Sequence, residues 1–226
     1  MTDRLTLVFD LDGTLAETAG DLIGALNVVL HGEGIAPLPV EAARSLLGGG
    51  GRALIQRGFS RAGRTLSSEK LDALFADFLK FYNAHIADHT FLYPGVRAAI
   101  DRFLEAGWRL AVCTNKMERS THLLLEKLGV EEKFAFICGQ DTFGLGKPDP
   151  KPLIETIRAA GGALESAVMV GDSITDVKIA RAAGVPVVLV DFGYTDRPAA
   201  ELGADRVISH FDELFDAALA LTSQSG

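Results

Sequence analysis

The chain has 226 residues, enough for one large domain or for a core with a small accessory domain, and its composition is that of a globular protein. Its formal net charge of −8, from 30 acidic and 22 basic residues, repels polyanions, so we expect no nucleic-acid partner, and any phosphate site must supply its own cations. No apolar run has the length of a membrane span, the N-terminus lacks a signal-peptide pattern, and Cys113 and Cys138 lie in apolar runs typical of free buried thiols, so we expect a cytoplasmic protein without a membrane partner.

The first apolar run, at residues 5–9, has no polar alternation and therefore predicts a strand buried on both faces. The next core strand does not begin until about residue 92, and a structureless loop of that length is improbable in a compact domain. The intervening segment shows helical periodicity instead, and Ser67 can cap one of its helices. We therefore predict a small helical cap domain at residues 16–91, inserted into a core of residues 1–15 and 92–226.

Beyond residue 92, short apolar runs alternate with amphipathic stretches of helical length. The apolar runs predict buried parallel strands at 110–113, 134–138, 167–170 and 186–190. The amphipathic stretches predict helices at 119–128, after Asp149 and Pro150, and at 174–183, where Gly129 and Gly184 follow two of the helix ends. This alternation predicts an α/β fold with a doubly wound parallel sheet.

Acidic residues follow two of these strands. Asp10 and Asp12 come directly after the run at 5–9, and Asp172 follows the run at 167–170, with Asp176 one helical turn further on. Ligands of open α/β sheets bind at the carboxyl ends of the strands, so both pairs belong to the edge where a site is expected. Solvated turn residues and helix caps are the alternative interpretation, and Asp176 alone could face a helix dipole.

Gathering these carboxylates requires a cation. Two unit charges about 4 Å apart repel by roughly 4 kcal/mol at an effective dielectric constant near 20. A divalent metal removes that repulsion, and oxygen ligation without a nearby histidine favours Mg²⁺ over Zn²⁺. The sequence therefore predicts magnesium as the cofactor.

Further polar residues are placed to reach the same edge. Thr114 and Asn115 end the strand at 110–113, although strand-end turn residues of this kind are common. Lys147 lies in a short segment whose backbone is restrained by Pro148 and Pro150, which limits where its ammonium group can go.

Together these segments resemble the four signatures of the haloacid dehalogenase superfamily in its phosphatase form. The first signature is matched by Phe9-Asp10-Leu11-Asp12-Gly13-Thr14-Leu15, and the others by Thr114-Asn115, Lys147-Pro148 and Gly171-Asp172-Ser173 with Asp176. They occur in the superfamily's order, and the helical insert stands where its first type of cap belongs. The resemblance covers nearly the whole chain.

The resemblance implies a role for each matched residue. Asp10 would be the nucleophile that forms an aspartyl-phosphate, and Asp12 would protonate the leaving group and then deprotonate water. The phosphoryl oxygens would be held by Thr114, Asn115 and Lys147. Magnesium would be bound by Asp10, by the backbone carbonyl of Asp12 and by Asp172, with Asp176 acting through water or from outside the direct ligands.

Within the superfamily the chain is most similar to bacterial phosphoglycolate phosphatases, in segments such as Thr114-Asn115-Lys116 and Gly139-Gln140-Asp141-Thr142. The glycine-rich run at 47–52 resembles their cap loop and is either a flexible hairpin or a substrate-specificity loop. In the second case Gly49 and Gly50 would permit close approach of the substrate, and the following helix N-terminus with Arg52 would favour a second anionic group, such as a carboxylate. We therefore expect hydrolysis of 2-phosphoglycolate to glycolate and phosphate.

Three alternatives stay open at this point. The chain could be a sugar-phosphate or broad-specificity phosphatase, a phosphosugar mutase, or a non-catalytic module that binds phosphorylated ligands. None of the matched nucleophile, acid or lysine positions is lost, which disfavours the last of these. Whether the protein is a monomer or a homodimer is left open.

Overall fold

The central element of the protein is a parallel sheet, seen in a computed structural model that describes residues 4–195 and 197–222. Six strands lie in the order β5-β4-β1-β6-β7-β8, and every neighbouring pair runs parallel. This order, with β1 in the middle, confirms the predicted doubly wound α/β fold. The strands are β1 Thr6–Phe9, β4 Arg109–Cys113, β5 Phe136–Cys138, β6 Ala167–Gly171, β7 Val187–Val190 and β8 Arg206–Ile208, while β2 Ala16–Glu17 and β3 Phe91–Leu92 form a separate two-stranded sheet.

Most strand predictions are confirmed, with two differences at the sheet's edges. Strand β5 begins two residues later than predicted, because Phe134 ends a 3-10 turn and is buried outside the sheet. Strand β8 was not predicted, since two of its three residues are exposed and it lacks a continuous apolar run. It is the edge strand beside β7, with Val190 paired to Ile208.

Helices cover both faces of this sheet and fill the insert. They are α1 Ala19–Gly32, α2 Val40–Ala43, α3 Gly51–Arg61, α4 Ser68–Ala84, α5 Val96–Glu105, α6 Glu118–Lys127, α7 Lys151–Ala159, α8 Ile174–Ala183 and α9 Leu214–Thr222. Helix α8 has the predicted bounds and ends at Gly184, whose φ of 70° suits glycine. Asp149 accepts a hydrogen bond from the amide of Lys151 at 2.9 Å, while the residue that directly precedes α7 is Pro150, which has helical backbone angles. In the part of the chain that the structure describes, no helix combines the length and apolar composition needed to span a bilayer.

The inserted helices leave and re-enter the core through the small two-stranded sheet. Strand β2 pairs antiparallel with β3, so Ala16 faces Leu92 and both chain crossings lie side by side. Helix α4 begins as predicted, because the Ser67 side chain accepts a hydrogen bond from the amide of Lys70 at 3.2 Å. Helices α1, α3 and α4 pack on one another and stand over the carboxyl end of β1.

Candidate active site

Three buried carboxylates meet at the carboxyl edge of the two central strands. Asp10 follows β1, and Asp172 follows β6, which is paired to β1 with Phe9 opposite Val170. Asp10, Asp172 and Asp176 each offer one oxygen, and these oxygens all lie within 4.8 Å of one another. Asp10 of the first predicted pair thus meets both acids of the second pair, because parallel strands end at the same edge of the sheet.

Lys147 supplies a buried positive charge to this cluster. Its Nζ lies 2.9 Å from Asp10 Oδ1 and donates a hydrogen bond to Asp176 Oδ1 at 2.7 Å. The other oxygen of Asp176 accepts hydrogen bonds from the hydroxyl and the amide of Ser173, and the bond from the amide belongs to a capping box at the start of α8. Asp176 is thus occupied by protein donors, and it holds Lys147 toward Asp10.

The cluster places three carboxyl groups beside one ammonium group. Burial raises the pKa of Asp10 to about 6, although Lys147 acts to lower it. Burial and the nearby Asp176 and Asp10 carboxylates raise the pKa of Asp172 well above its ordinary value. Burial alone would lower the pKa of Lys147, but Asp10 and Asp176 raise it instead, so Lys147 is charged. One ammonium does not balance three carboxylates, and oxygen ligands in this arrangement fit a hard divalent cation.

Asp172 is confined by a loop that the sequence did not point to. The amide of Tyr194 donates a hydrogen bond to Asp172 Oδ2 at 2.6 Å. A Cβ on Gly193 would lie 2.7 Å from Asp172 Cγ, and one on Gly13 would lie 3.1 Å from the same atom. The loop after β7 therefore presses its backbone against this carboxylate. The one sequence signal for it is a glycine three residues beyond a predicted strand.

Asn115 has a contact that was not predicted. Its side chain accepts a hydrogen bond from the amide of Lys147 at 2.8 Å and donates one to the Lys147 carbonyl at 3.1 Å. Asn115 thus joins the loop after β4 to the loop that carries the buried lysine. Thr114 is buried beside it at the end of β4 and lines the same cavity.

A second buried lysine reaches Asp12. Lys116 Nζ lies 3.0 Å from Asp12 Oδ1 and donates a hydrogen bond to the hydroxyl of Tyr82 at 2.8 Å. Tyr82 belongs to α4 of the insert, whereas Lys116 follows β4 of the sheet. Sequence reasoning named neither as a site residue: Lys116 directly follows Thr114-Asn115, and Tyr82 fits the apolar face of a helix.

The glycine-rich loop lies against the sheet edge, and Arg52 does not join it there. Gly49 and Gly50 line the cavity, and a Cβ on Gly50 would come within 2.8 Å of the Asn115 carbonyl oxygen. Arg52 instead pairs with Asp72 and stacks 4.6 Å above the Phe75 ring, with 45% of its side chain exposed. Helix α3 directs this side chain toward α4. The sequence predicted that Arg52 would contact the substrate, and the structure does not place it among the residues that line the cavity.

The cavity between sheet and insert has a polar floor and an apolar roof. Asp10, Asp12, Thr114 and Lys147 are on the floor. The insert contributes the apolar side chains of Leu47, Leu54, Phe75, Phe78 and Leu79. A reacting group on the floor would therefore be shielded from bulk water, which strengthens the electrostatic interactions there.

Comparisons with known proteins point to one family. The family model described as haloacid dehalogenase-like hydrolase matches residues 7–190. A phosphoglycolate phosphatase of Mesorhizobium japonicum is 49% identical over 211 residues, which cover 93% of both chains. A solved structure of a "predicted phosphoglycolate phosphatase" from Haemophilus somnus is 26% identical with a TM-score of 0.87 and covers 96% of this chain and 98% of that one. CbbY of Rhodobacter sphaeroides, solved with xylulose-1,5-bisphosphate, is 27% identical with a TM-score of 0.78 and covers 93% of this chain and 96% of its own.

Proposed function

The chain belongs to the haloacid dehalogenase-like hydrolase family and is a phosphatase, and on that premise we propose that it is a magnesium-dependent enzyme that hydrolyses 2-phosphoglycolate. The observation that carries the proposal is the placement of Asp10, whose buried carboxylate lies between Lys147 at 2.9 Å and the Asp172 carboxylate. A nucleophile for phosphoryl transfer needs an adjacent cation to accept the incoming negative charge. Lys147 is one such cation, and a metal ion bound between the Asp10 and Asp172 carboxylates would be a second.

Asp10 and Asp12 divide the chemistry in this proposal. An Asp10 oxygen attacks phosphorus, the ester P–O bond breaks, and the leaving oxygen takes a proton from Asp12. Water then attacks the aspartyl-phosphate and gives a proton to Asp12, and the bond between phosphorus and Asp10 breaks. Atoms and charge balance, because Asp10 and Asp12 return to their starting states. Lys147 and Thr114 hold the phosphoryl oxygens. Asn115 is bonded to the Lys147 backbone through its side-chain oxygen and nitrogen and keeps one N–H for the predicted phosphoryl contact.

Asp10, the backbone carbonyl of Asp12 and Asp172 would bind the magnesium ion. When bound, the ion supplies positive charge that offsets the carboxylates and the phosphoryl oxygens. The crowding of the Asp10 and Asp172 oxygens supports this assignment. We assign Asp176 a role outside the direct ligands, since its oxygens accept hydrogen bonds from Lys147 and Ser173, although one of them belongs to the same oxygen cluster.

The choice of substrate rests on the relatives and on the cavity between the sheet and the insert. The Mesorhizobium japonicum protein is named for phosphoglycolate, and it matches this chain over nearly its full length. We propose that residues 16–91 act as a cap over a core of residues 1–15 and 92–226, and that Gly49 and Gly50 let its loop approach a small substrate. A cytoplasmic location and the lack of nucleic-acid and membrane partners remain part of this proposal.

A sugar phosphate is the second candidate substrate, because the similar CbbY structure contains xylulose-1,5-bisphosphate. The discriminating experiment is a panel of 2-phosphoglycolate, glucose 6-phosphate, a ketopentose bisphosphate and p-nitrophenyl phosphate, run with magnesium and with EDTA. We expect the highest kcat/KM for 2-phosphoglycolate and no turnover in EDTA. A clear preference for a sugar phosphate would refute the proposed substrate, and full activity in EDTA would refute the metal requirement.

A further inference from the structure

Lys116 is a second buried cation in the cavity, and it pairs with the proposed acid Asp12 rather than with the nucleophile Asp10. Among the described residues that line the cavity, the positively charged side chains are Lys147 and Lys116. Lys147 is engaged by Asp10 and Asp176 on the floor. Only 4% of the Lys116 side chain is exposed, and burying an ammonium group is costly unless its charge is used. In the proposed reaction Asp12 carries the proton that it gives to the leaving group, so at that stage the Lys116 ammonium lacks the Asp12 counter-charge. A second anionic group on the substrate would supply it.

The Lys116 ammonium has bonding capacity left for a ligand. It carries three N–H donors. Within the described part of the chain, the Tyr82 hydroxyl accepts one of them at 2.8 Å, and Asp12 Oδ1 forms an ion pair with the ammonium at 3.0 Å. Tyr82 accepts from Lys116, so its own hydroxyl proton remains available for an anion. Burial raises the pKa of Tyr82 to about 12, which keeps that proton in place at neutral pH.

The distance along the substrate also fits. Under the proposed function, Asp12 protonates the ester oxygen of 2-phosphoglycolate, and the carboxylate follows that oxygen after one methylene group. An ammonium in contact with Asp12 is therefore close to where the carboxylate must lie. We infer that Lys116 and Tyr82 together form the subsite for the carboxylate of the substrate, an inference that rests on the proposed function. It replaces the sequence expectation for Arg52, which pairs with Asp72 outside the cavity.

This subsite is shared between the two parts of the protein. Lys116 belongs to the core, and Tyr82 comes from α4 of the insert, where its ring also lies 4.5 Å from the Lys116 ammonium. Ser120 donates a hydrogen bond to Asn83 at 2.7 Å and makes a neighbouring contact between core and insert. The carboxylate subsite is complete only when α4 lies against the core, so binding of a carboxylated substrate favours the closed arrangement.

The test compares two substrates that differ at the carboxylate. 2-Hydroxyethyl phosphate replaces that group with a hydroxymethyl group and keeps the ester. Wild-type enzyme should prefer 2-phosphoglycolate, and Lys116→Met should reduce this preference, the ratio of the two kcat/KM values, by about 10- to 100-fold. Tyr82→Phe keeps the ring and its packing and should reduce the ratio by about 2- to 10-fold. Lys80→Met removes an equal charge from an exposed position of α4 and should leave the ratio unchanged.

The outcomes separate this inference from the proposed function. A wild-type enzyme without preference for 2-phosphoglycolate would overturn both. A wild-type preference that survives in Lys116→Met, with both substrates slowed equally, would overturn the inference alone and leave Lys116 as a residue that positions Asp12. Loss of the preference in Arg52→Met, with retention in Lys116→Met, would also overturn it. If Lys116→Met does not fold, Tyr82→Phe tests the inference instead. An unchanged ratio of the two kcat/KM values in Tyr82→Phe would overturn the shared subsite.

Discussion

Replacing Gly193 by alanine tests whether the loop after β7 sets the position of Asp172. The new Cβ would lie 2.7 Å from Asp172 Cγ, closer than carbon atoms pack, so either the loop or the carboxylate must shift. Gly193 is not among the glycines with positive φ, so the backbone conformation itself tolerates alanine. Displacing a side chain of this kind costs about 1–3 kcal/mol. If Asp172 moves, we expect magnesium affinity to fall roughly 10- to 100-fold, the range found when groups that orient metal ligands are removed.

Two measurements check this prediction. The initial rate should be half-maximal at a magnesium concentration 10- to 100-fold higher than in wild type, with much of the rate recovered at saturation. In urea unfolding, the stabilisation gained from a fixed excess of magnesium should shrink by about 1.4 to 2.7 kcal/mol. The matched control is Gly24→Ala in helix α1, where the added methyl group meets nothing within 4 Å. A Gly193→Ala enzyme with wild-type stability and wild-type magnesium dependence would show that the loop does not set the position of Asp172.

Three further outcomes are expected. Asp10→Asn should lower turnover by roughly 10⁴-fold or more while the thermal unfolding profile remains cooperative, and residual activity near wild type would exclude Asp10 as the nucleophile. Ser67→Ala should lower the free energy of unfolding by about 1 kcal/mol through loss of the α4 cap, whereas Ser68→Ala should change it by less than about 0.5 kcal/mol. Burial alone would raise the pKa of Glu17, but hydrogen bonds lower it, and the bond from Arg44 at 2.5 Å has the largest lowering effect. Glu17→Gln should therefore lower the free energy of unfolding at pH 7. The difference in this free energy between the variant and wild type should shrink as the pH falls from 4.5, the ordinary pKa of a glutamate, through the lowered pKa of Glu17. A difference that does not change with pH would contradict this.

The fold and the acidic half of the site could be predicted from the sequence, because the signals are local. A strand that is buried on both faces shows as an apolar run, and Gly184 marks the end of helix α8 by its own backbone preference. Asp10 and Asp172 each directly follow such a strand or the glycine that ends it. Since parallel strands all end at one edge, the position of these two acids in the sequence is enough to bring them together.

The contacts that hold and complete the site were decided only by the tertiary structure. Gly193 touches Asp172 because the loop after β7 folds back over the sheet edge, and Tyr82 meets Lys116 because α4 packs against the core. Arg52 was predicted to face the substrate, but its side chain points toward Asp72, a residue of another helix. Which partner a side chain meets across many residues of chain depends on how the helices pack, and local sequence preferences do not carry that information.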